Sequence, residues 1–163
     1  MTQQNWRTLL GLSLIETTKF YLVSKIKESQ HKHNESLADF ISGHCFVPHL
    51  HNPFNMVHSQ LEHSVFQMDL DAMIDADFGV VSLPIGADCS AEVGWFCGND
   101  KPIHAYIYDS GYGVSCEEQY ENLASKWMVK GFLTSCVVVD NKEVFEMMKL
   151  DPILKDKVEH YVS

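Results

Sequence analysis

The chain has 163 residues, of which 45% are hydrophobic and 21% charged, which is typical of one domain with a buried core. Its formal net charge of −10 argues against a nucleic-acid polymer or an anionic membrane as partner, because like charges repel. The five cysteines show no C-x-x-C spacing, so we expect reduced thiols in a cytoplasmic protein, without a disulfide framework or a zinc site.

Residues 1–18 form a predicted N-terminal extension. Its apolar run over 9–15 resembles a weak signal peptide, but Glu16 follows directly and no small-x-small cleavage site is present. We therefore expect a short helix that packs on the body of the protein or on a second subunit. No apolar run in the sequence reaches the roughly 20 residues that span a bilayer, so we expect no membrane partner.

The next segments alternate between strand and helix patterns. Residues 19–24 are aromatic and β-branched and predict the first strand, and a helix is predicted over 26–42. Residues 45–47 predict a second strand, which Pro48 ends. The segment 49–64 is rich in histidine and broken by asparagine and proline, so it predicts a long loop of the kind that often carries function.

The segment 66–109 is the most informative part of the chain. An amphipathic helix over 66–75, an apolar strand over 78–83 and a short loop over 84–90 lead into a helix beginning at Ala91, and a strand is predicted over 102–108. A strand, a tight loop and a helix in this order place a ligand at the carboxyl edge of a parallel sheet. Glu92, in the first turn of that helix, is therefore the leading candidate for a functional residue.

The remaining pattern predicts a helix over 117–129, a strand over 134–139 and a C-terminal helix beginning near Asn141. The whole alternation predicts an α/β fold, with one doubly wound, flavodoxin-like or Rossmann-like five-stranded parallel sheet and helices on both faces. Because no repeat or linker interrupts the sequence, we expect a single domain over 1–163.

The chemistry of Glu92 follows from its predicted position. Unpaired backbone N–H groups and the helix dipole favour an ionised carboxylate in a first turn, which suits a nucleophile, and Asp88 or Ser90 can cap that turn. Asp69 lies in an acidic run, where carboxylates that are close in space raise one another's pKa. An anionic nucleophile paired with a proton-donating carboxyl group is the usual arrangement for cleaving a bond at a sugar's anomeric carbon.

Three segments resemble motifs of the nucleoside 2-deoxyribosyltransferases and related nucleotide N-glycosidases. Residues 68–81 resemble their Asp-Leu-x-x-Ile-x-x-Ala-Asp-x-x-Val-Val pattern, and Ser90-Ala91-Glu92-Val93-Gly94 is similar to their Gly-Thr-x-x-Glu-x-Gly. Residues 99–103 are similar to the Gly-Lys-Pro-Val that opens the following strand. The first strand, with Tyr21, also looks like theirs, so that the resemblance covers about residues 19–109.

This resemblance implies a small doubly wound fold, no cofactor or metal, and a homodimer or larger homo-oligomer in which a neighbouring subunit completes each site. The implied partners are a nucleoside or nucleotide and a free nucleobase. Glu92 would attack the anomeric carbon and form a deoxyribosyl ester, Asp69 would protonate the departing base, and Tyr21 would orient the nucleophile. Water or a second base would then release the sugar.

The resemblance also yields substrate-binding candidates. Asp88 would hold or protonate the base, and we add Gly86, Ser90, Ser24 and His51 as substrate-binding residues. The residues alone leave structural roles equally open, since Asp88 also fits a plain N-cap, Asp69 a solvated helix face and Tyr21 a buried strand position.

Departures from the family pattern leave the reaction open. Cys89-Ser90 replaces Gly-Thr, Val23-Ser24-Lys25 replaces the glycine after the first strand, and the family's C-terminal asparagine is not evident. A deoxynucleoside 5′-monophosphate N-glycosidase, which Lys25 or Lys27 would favour, and a non-catalytic nucleotide-binding sensor are the alternatives to a transferase.

Two other classes of site fit the sequence poorly. His49 and His51 alternate along the chain, but no further ligand stands at a spacing typical of zinc, so we predict no metal. A flavodoxin-like phosphoacceptor module would need a pair of acids after the first strand to hold magnesium, where this chain has residues 24–27, Ser-Lys-Ile-Lys.

Overall fold

The computed structural model describes residues 18–42, 44–51 and 58–163, except for the side chains of residues 44, 51 and 58–61. The predicted N-terminal extension, apart from Thr18, lies outside these residues. The strands are β1 (Lys19–Val23), β2 (His44–Phe46), β3 (Phe78–Ser82), β4 (Ile103–Ile107), β5 (Ser135–Val139) and β6 (Val158–Tyr161). They form one sheet in the order β2-β1-β3-β4-β5-β6, and every neighbouring pair is parallel.

Helices connect the strands, as parallel pairing requires. In the described part of the chain they are α1 (His31–Ile41), α2 (Pro48–His51), α3 (His58–Asp75), α4 (Ala87–Gly98), α5 (Cys116–Ala124), α6 (Trp127–Phe132) and α7 (Lys142–Met148). A 3₁₀ turn over Glu28–Gln30 precedes α1. Among the helices of this part, none combines the length and the apolar character that crossing a membrane requires.

The sheet has a core on each face, because successive side chains of a strand point in opposite directions. On one face, Val81 and its neighbours pack with residues of α3 to α7. On the other face, Val80 and its neighbours pack with Leu37 and Ile41 of α1. Strands β3, β4 and β5 are buried along their whole length, which explains their nearly continuous apolar sequences.

The predicted α/β class and the single parallel sheet are confirmed, but the predicted number of five strands is wrong. The sixth strand, β6, pairs with β5 beyond the predicted C-terminal helix, which is present as α7. Its four residues, Val-Glu-His-Tyr, mix apolar and polar side chains at the edge of the sheet, and only Tyr161 is buried. So short and polar a segment lacks the pattern on which strand prediction depends.

Helix boundaries differ from the prediction at functionally important places. Helix α3 begins at His58, and α2 also occupies part of the predicted loop over 49–64. Helix α4 begins at Ala87, four residues before the predicted start, because Gly86 in an extended conformation is its N-cap and the polar residues that follow are already helical. The predicted helix over 117–129 is divided into α5 and α6.

A buried ion pair secures the turn that leads to β6. Lys130 Nζ lies 2.8 Å from Asp151 Oδ2, and the two side chains are 6% and 10% exposed. Asp151 Oδ1 also accepts hydrogen bonds from the backbone N–H groups of Ile153 and Leu154, at 2.8 and 3.1 Å. Burial would raise the pKa of Asp151, but these donors outweigh it and hold the pKa below its usual value.

We expect Lys130→Met to destabilise the fold by about 3 kcal/mol, because it leaves the Asp151 carboxylate buried without its partner. The measurement is the free energy of unfolding in urea. Lys149→Met is the matched control: Lys149 lies 3.9 Å from Glu146 in an exposed pair, and its loss is expected to cost less than about 1 kcal/mol. Equal losses in the two variants would contradict the role given to the buried pair.

Candidate active site

The strand order places a crevice between β1 and β3. The chain continues from β1 to β2 on one side of the sheet and from β3 to β4 on the other. The connections that leave β1 and β3 therefore diverge at the carboxyl edge, which is where ligands bind in doubly wound sheets. Helix α3 enters β3 and helix α4 leaves it, so both helices lie beside this switch point.

A pocket of about 820 Å³ lies between α3 and α4. Both helices run from the carboxyl edge of the sheet to its amino edge. The early residues of each helix therefore line the end of the pocket near the carboxyl edge, and the later residues line the end near the amino edge. From the carboxyl edge inwards, α4 contributes Asp88, Ala91, Glu92 and Trp95, and α3 contributes Glu62, Val65, Phe66, Asp69, Leu70 and Met73; Ile26, after β1, completes the described lining.

Two carboxyl groups, Asp69 and Glu92, occupy the middle of this pocket. Glu92 is half-buried, and its Oε2 atom is buried without a hydrogen-bond partner among the described residues. Burial raises the pKa of Glu92 to about 8; Tyr21 opposes this shift, whereas the charges of Asp69 and Asp88 add to it. Burial also raises the pKa of Asp69, to about 6, against an opposing effect of Tyr21.

The raised pKa contradicts the prediction that helix position keeps Glu92 ionised. Because α4 begins at Ala87, Glu92 lies in the second turn of the helix, whereas the favourable effect of the dipole falls off within the first turn. Loss of hydration disfavours the charged carboxylate and dominates its pKa. Burial therefore favours the protonated form of Glu92 in the free protein.

Tyr21 lies fully buried beneath the two carboxyl groups. Its ring stacks on Phe46, with the ring centroids 5.6 Å apart. The Tyr21 hydroxyl has no hydrogen-bond partner among the described residues. It nevertheless lies close enough to Asp69 and Glu92 to lower the pKa of both carboxyl groups. Burial and the two acids raise the pKa of Tyr21 itself, so it presents a neutral phenol to the pair.

Buried amide side chains hold the loops at this edge in place. Asn34 Nδ2 donates to the carbonyl of Lys25 at 3.0 Å, and its Oδ1 accepts from Ser82 Oγ at 2.8 Å, which joins the segment after β1 to the end of β3. Asn122 accepts from the N–H of Ile85 at 2.8 Å and donates to the Ile85 carbonyl at 3.0 Å. The loop that leads into α4 is thus held from two sides.

The predicted substrate-binding residues of this loop differ in whether they line the pocket. Asp88 lines the pocket near the carboxyl edge. Gly86 is the N-cap of α4, and no side chain caps this helix, so the proposed capping by Asp88 or Ser90 is wrong. Ser90 Oγ instead donates to the Gly86 carbonyl at 2.8 Å. Neither Gly86 nor Ser90 belongs to the described lining of the pocket.

The remaining predicted residues lie away from the pocket or outside the description. Ser24 is buried just after β1, and its hydroxyl donates a hydrogen bond to the Leu22 carbonyl of that strand. His51 ends α2, and its side chain lies outside the described part. His49 is buried against His31, with ring centroids 3.9 Å apart, and lies 3.7 Å from Glu35. The described residues hold no group of three or more His, Cys, Asp or Glu suited to a metal ion.

Sequence reasoning did not assign the apolar walls of the pocket. Trp95 lies three residues after Glu92, and Met73 lies four residues after Asp69, so each shares a helix face with the neighbouring acid. These spacings could have indicated the walls, but only after the helix boundaries and the pairing of α3 with α4 were known.

Comparison with known proteins supports the class of fold. The described residues form a doubly wound α/β fold with a pocket at the switch point of the parallel sheet. The chain is similar to the solved structure of a 2-deoxyribosyltransferase from Bacillus psychrosaccharolyticus, with a TM-score of 0.54 and 19% identity over 73% of this chain and 85% of that one. This likeness confirms the fold that the sequence resemblance implies. No family model matches the sequence, and no curated protein sequence matches it.

The raised pKa of Glu92 makes stability depend on pH. The folded state keeps a proton on Glu92 up to about pH 8, whereas the unfolded chain loses it near the usual glutamate pKa of 4.5. The contribution of this group to stability therefore falls as pH rises through that window. We expect Glu92→Gln to be more stable than wild type at pH 8, by at least about 1 kcal/mol, with a smaller difference at pH 5.

The check is the free energy of unfolding in urea at both pH values. Glu117→Gln, which changes an exposed acid in the first turn of α5, controls for general charge effects and should show no comparable dependence on pH. A Glu92→Gln difference that is equal at pH 5 and pH 8 would rule out a buried, protonated Glu92.

Proposed function

We propose that this chain is an enzyme of the nucleoside 2-deoxyribosyltransferase type, which breaks an N-glycosidic bond and transfers 2-deoxyribose between nucleobases. The observation that carries the proposal is the placement of Glu92 and Asp69 in one pocket at the switch point, above the buried Tyr21. The likeness to a 2-deoxyribosyltransferase, a biocatalyst for the synthesis of nucleosides, supports the choice of substrate.

The reaction has two displacements at the anomeric carbon. A carboxylate oxygen of Glu92 attacks that carbon, the electrons of the C–N bond leave with the base, and the carboxyl group of Asp69 gives the base a proton. The nitrogen of a second base then attacks the same carbon, Glu92 leaves as a carboxylate, and Asp69 takes back a proton. Atoms and charges balance without a cofactor.

The two carboxyl groups suit these roles because both line one pocket, where burial and the charge of Asp69 raise the pKa of Glu92. The reactive form carries its proton on Asp69 and none on Glu92, which is a minor form in the free protein because the pKa of Glu92 is the higher one. The neutral hydroxyl of Tyr21 lies beneath both groups and favours their ionised forms, so it would orient Glu92 for attack.

The pocket fits a nucleoside, and its open side suits a second subunit. Its volume of about 820 Å³ falls within the usual range for small-molecule sites. On α3, the side chain of Phe66 lines the pocket yet is 62% exposed, and Ile74 on the same helix is 57% exposed. A homodimer or larger homo-oligomer that covers this helix would complete the site.

Lys25 favours a second candidate function, the hydrolysis of a deoxynucleoside 5′-monophosphate. The Lys25 side chain reaches Gly86 at the start of α4, where its Cε lies 3.6 Å from the position that a Cβ on Gly86 would occupy. A lysine beside the uncapped N-terminus of a helix attracts phosphate. In this case water would accept the sugar from Glu92.

We expect wild-type protein to make a new deoxynucleoside from a deoxynucleoside donor and a different free base. Glu92→Gln should lose at least about 1,000-fold in rate, because it removes the nucleophile. Chromatography of the products measures this, with the deoxynucleoside 5′-monophosphate as a parallel donor. Glu143→Gln, a change in the first turn of α7, is the control.

Each outcome of this assay decides between the candidates. Free base and deoxyribose 5-phosphate from the monophosphate, without base exchange from any donor, would replace the transferase by the hydrolase. If wild type were inert on every purine and pyrimidine donor, both enzymatic proposals would fall, and a non-catalytic nucleotide-binding sensor would take their place.

The paired acids also predict a pH profile. We expect kcat/KM to rise and then fall, with a maximum near pH 7, because the reactive form needs one proton on the pair and the two pKa values are about 6 and about 8. Asp69→Asn should lower the rate and abolish the fall at high pH, since no proton of Asp69 remains to be lost.

The control for this profile is Asp71→Asn, which changes an exposed acid of the same helix that accepts a hydrogen bond from Gln67. It should keep the full profile of the wild type. An Asp69→Asn variant that retained both limbs would show that Asp69 is not the proton donor.

A further inference from the structure

Helix α5 carries two amide side chains that hold the backbone beyond the ends of neighbouring strands. Gln119 accepts from the N–H of Tyr108 at 2.9 Å and donates to the Tyr108 carbonyl at 2.9 Å, one residue beyond β4. Asn122 makes the same pair of bonds with Ile85, three residues beyond β3. The two amides lie three residues apart and therefore on one face of α5. Each amide supplies the donor and the acceptor that a neighbouring strand would otherwise supply.

Ile85 needs these bonds because it is buried beyond the end of its strand. Ile85 is 1% exposed, whereas the strands on either side of β3 stop short of its level, β1 at Val23 and β4 at Ile107. A buried backbone N–H and carbonyl require hydrogen-bond partners. Asn122 supplies both, from an element that is 37 residues away in the chain.

Ile85 leads directly into the helix that carries Glu92. The next residue, Gly86, is the N-cap of α4, and its carbonyl accepts from the N–H and the Oγ of Ser90, at 3.1 and 2.8 Å. Glu92 follows in the second turn and lines the pocket beside Asp69. A shift in the start of α4 would therefore move the Glu92 carboxyl group, and misplacement of a catalytic group by about 1 Å can cost about 100-fold in rate.

We propose that Asn122 is a positioning residue for Glu92: by holding Ile85, it fixes where α4 begins and how deeply the Glu92 carboxyl group lies in the pocket. Asn122 does not belong to the described lining of the pocket, so it acts through the backbone. This inference rests on the proposed function for the nucleophilic role of Glu92, but the environment of the Glu92 carboxyl group can be measured without turnover.

The kinetic test compares base exchange by wild type and by Asn122→Ala. We expect kcat to fall about 10- to 100-fold and KM to change less than about threefold, because the nucleophile moves while the side chains that line the pocket remain.

Asn122→Asp adds a rescue that depends on pH. A neutral carboxylic acid can accept from the Ile85 N–H and donate to the Ile85 carbonyl, as the amide does, whereas an ionised carboxylate has no proton to donate. The ratio of its kcat to that of wild type should therefore rise as the pH falls from about 7 to about 5.

Carbon-13 NMR of the glutamate carboxyl groups tests the position of Glu92 without turnover. The Glu92 resonance, assigned by its loss in Glu92→Gln, should give a pKa of about 8 in wild type. In Asn122→Ala this pKa should fall towards the usual glutamate value by about one unit, because a displaced carboxyl group regains hydration.

Gln119→Ala is the matched control, because it removes the same two bonds from Tyr108, which does not lead into α4. It should lower the midpoint of thermal unfolding as Asn122→Ala does, yet keep kcat within about threefold of wild type and leave the Glu92 pKa unchanged. Asn99→Ala, which removes an exposed amide bond to the Trp95 carbonyl at the far end of α4, replaces this control if Gln119→Ala unfolds. Asn122→Asp keeps the test valid if Asn122→Ala unfolds.

An unchanged Glu92 pKa in Asn122→Ala, an effect on KM alone, or an equal loss of kcat in Gln119→Ala would overturn the inference. The two proposals also fail separately. A lowered Glu92 pKa in Asn122→Ala, in a protein without turnover, would sustain the positioning role and refute the enzyme. Base exchange by Asn122→Ala with unchanged kcat and unchanged Glu92 pKa would sustain the enzyme and refute the positioning role.

Discussion

The burial of two carboxyl groups in one pocket is the constraint on which the site depends. Water would keep both Asp69 and Glu92 ionised, but their surroundings raise both pKa values, with burial as the largest cause in each case. Such an arrangement costs stability at neutral pH and persists only where the rest of the fold supports it. Here the support comes from the two helices that carry the acids, since both pack on the buried face of the sheet.

The topology of the sheet brings this pair together. Because β3 lies beside β1 and the chain then turns outwards to β4, the helix that enters β3 and the helix that leaves it flank one crevice. Asn34 and Asn122 hold the adjoining loops through hydrogen bonds of their side chains. The ammonium group of Lys101 donates to the Met73 carbonyl near the end of α3 and lies over the Trp95 ring of α4, so it links the two helices. The acids, the buried phenol of Tyr21 and the apolar side chains that line the pocket therefore form one continuous site.

Most of the fold could be predicted from the sequence, because five strands are strongly apolar segments separated by helical patterns. Strand β6 could not, since its four mixed residues become a strand only by pairing with the exposed edge of β5. The start of α4 was also missed, because Asp88 and Ser90 are as typical of a loop as of a first helical turn. The pKa of Glu92 could not be predicted either, because burial raises it and burial is a property of the tertiary structure.

The order of strands and helices, the candidacy of Glu92 and the acidic character of the α3 segment were contained in the sequence, because periodicity and the spacing of motifs are local properties. The meeting of Asp69 with Glu92, the burial that raises their pKa values, and the placement of Trp95 and Met73 at one end of the pocket were decided by tertiary structure alone. These properties depend on how two helices pack across a parallel sheet. Packing of that kind joins residues that no local pattern relates, and it removes from water groups that the sequence shows only as charged.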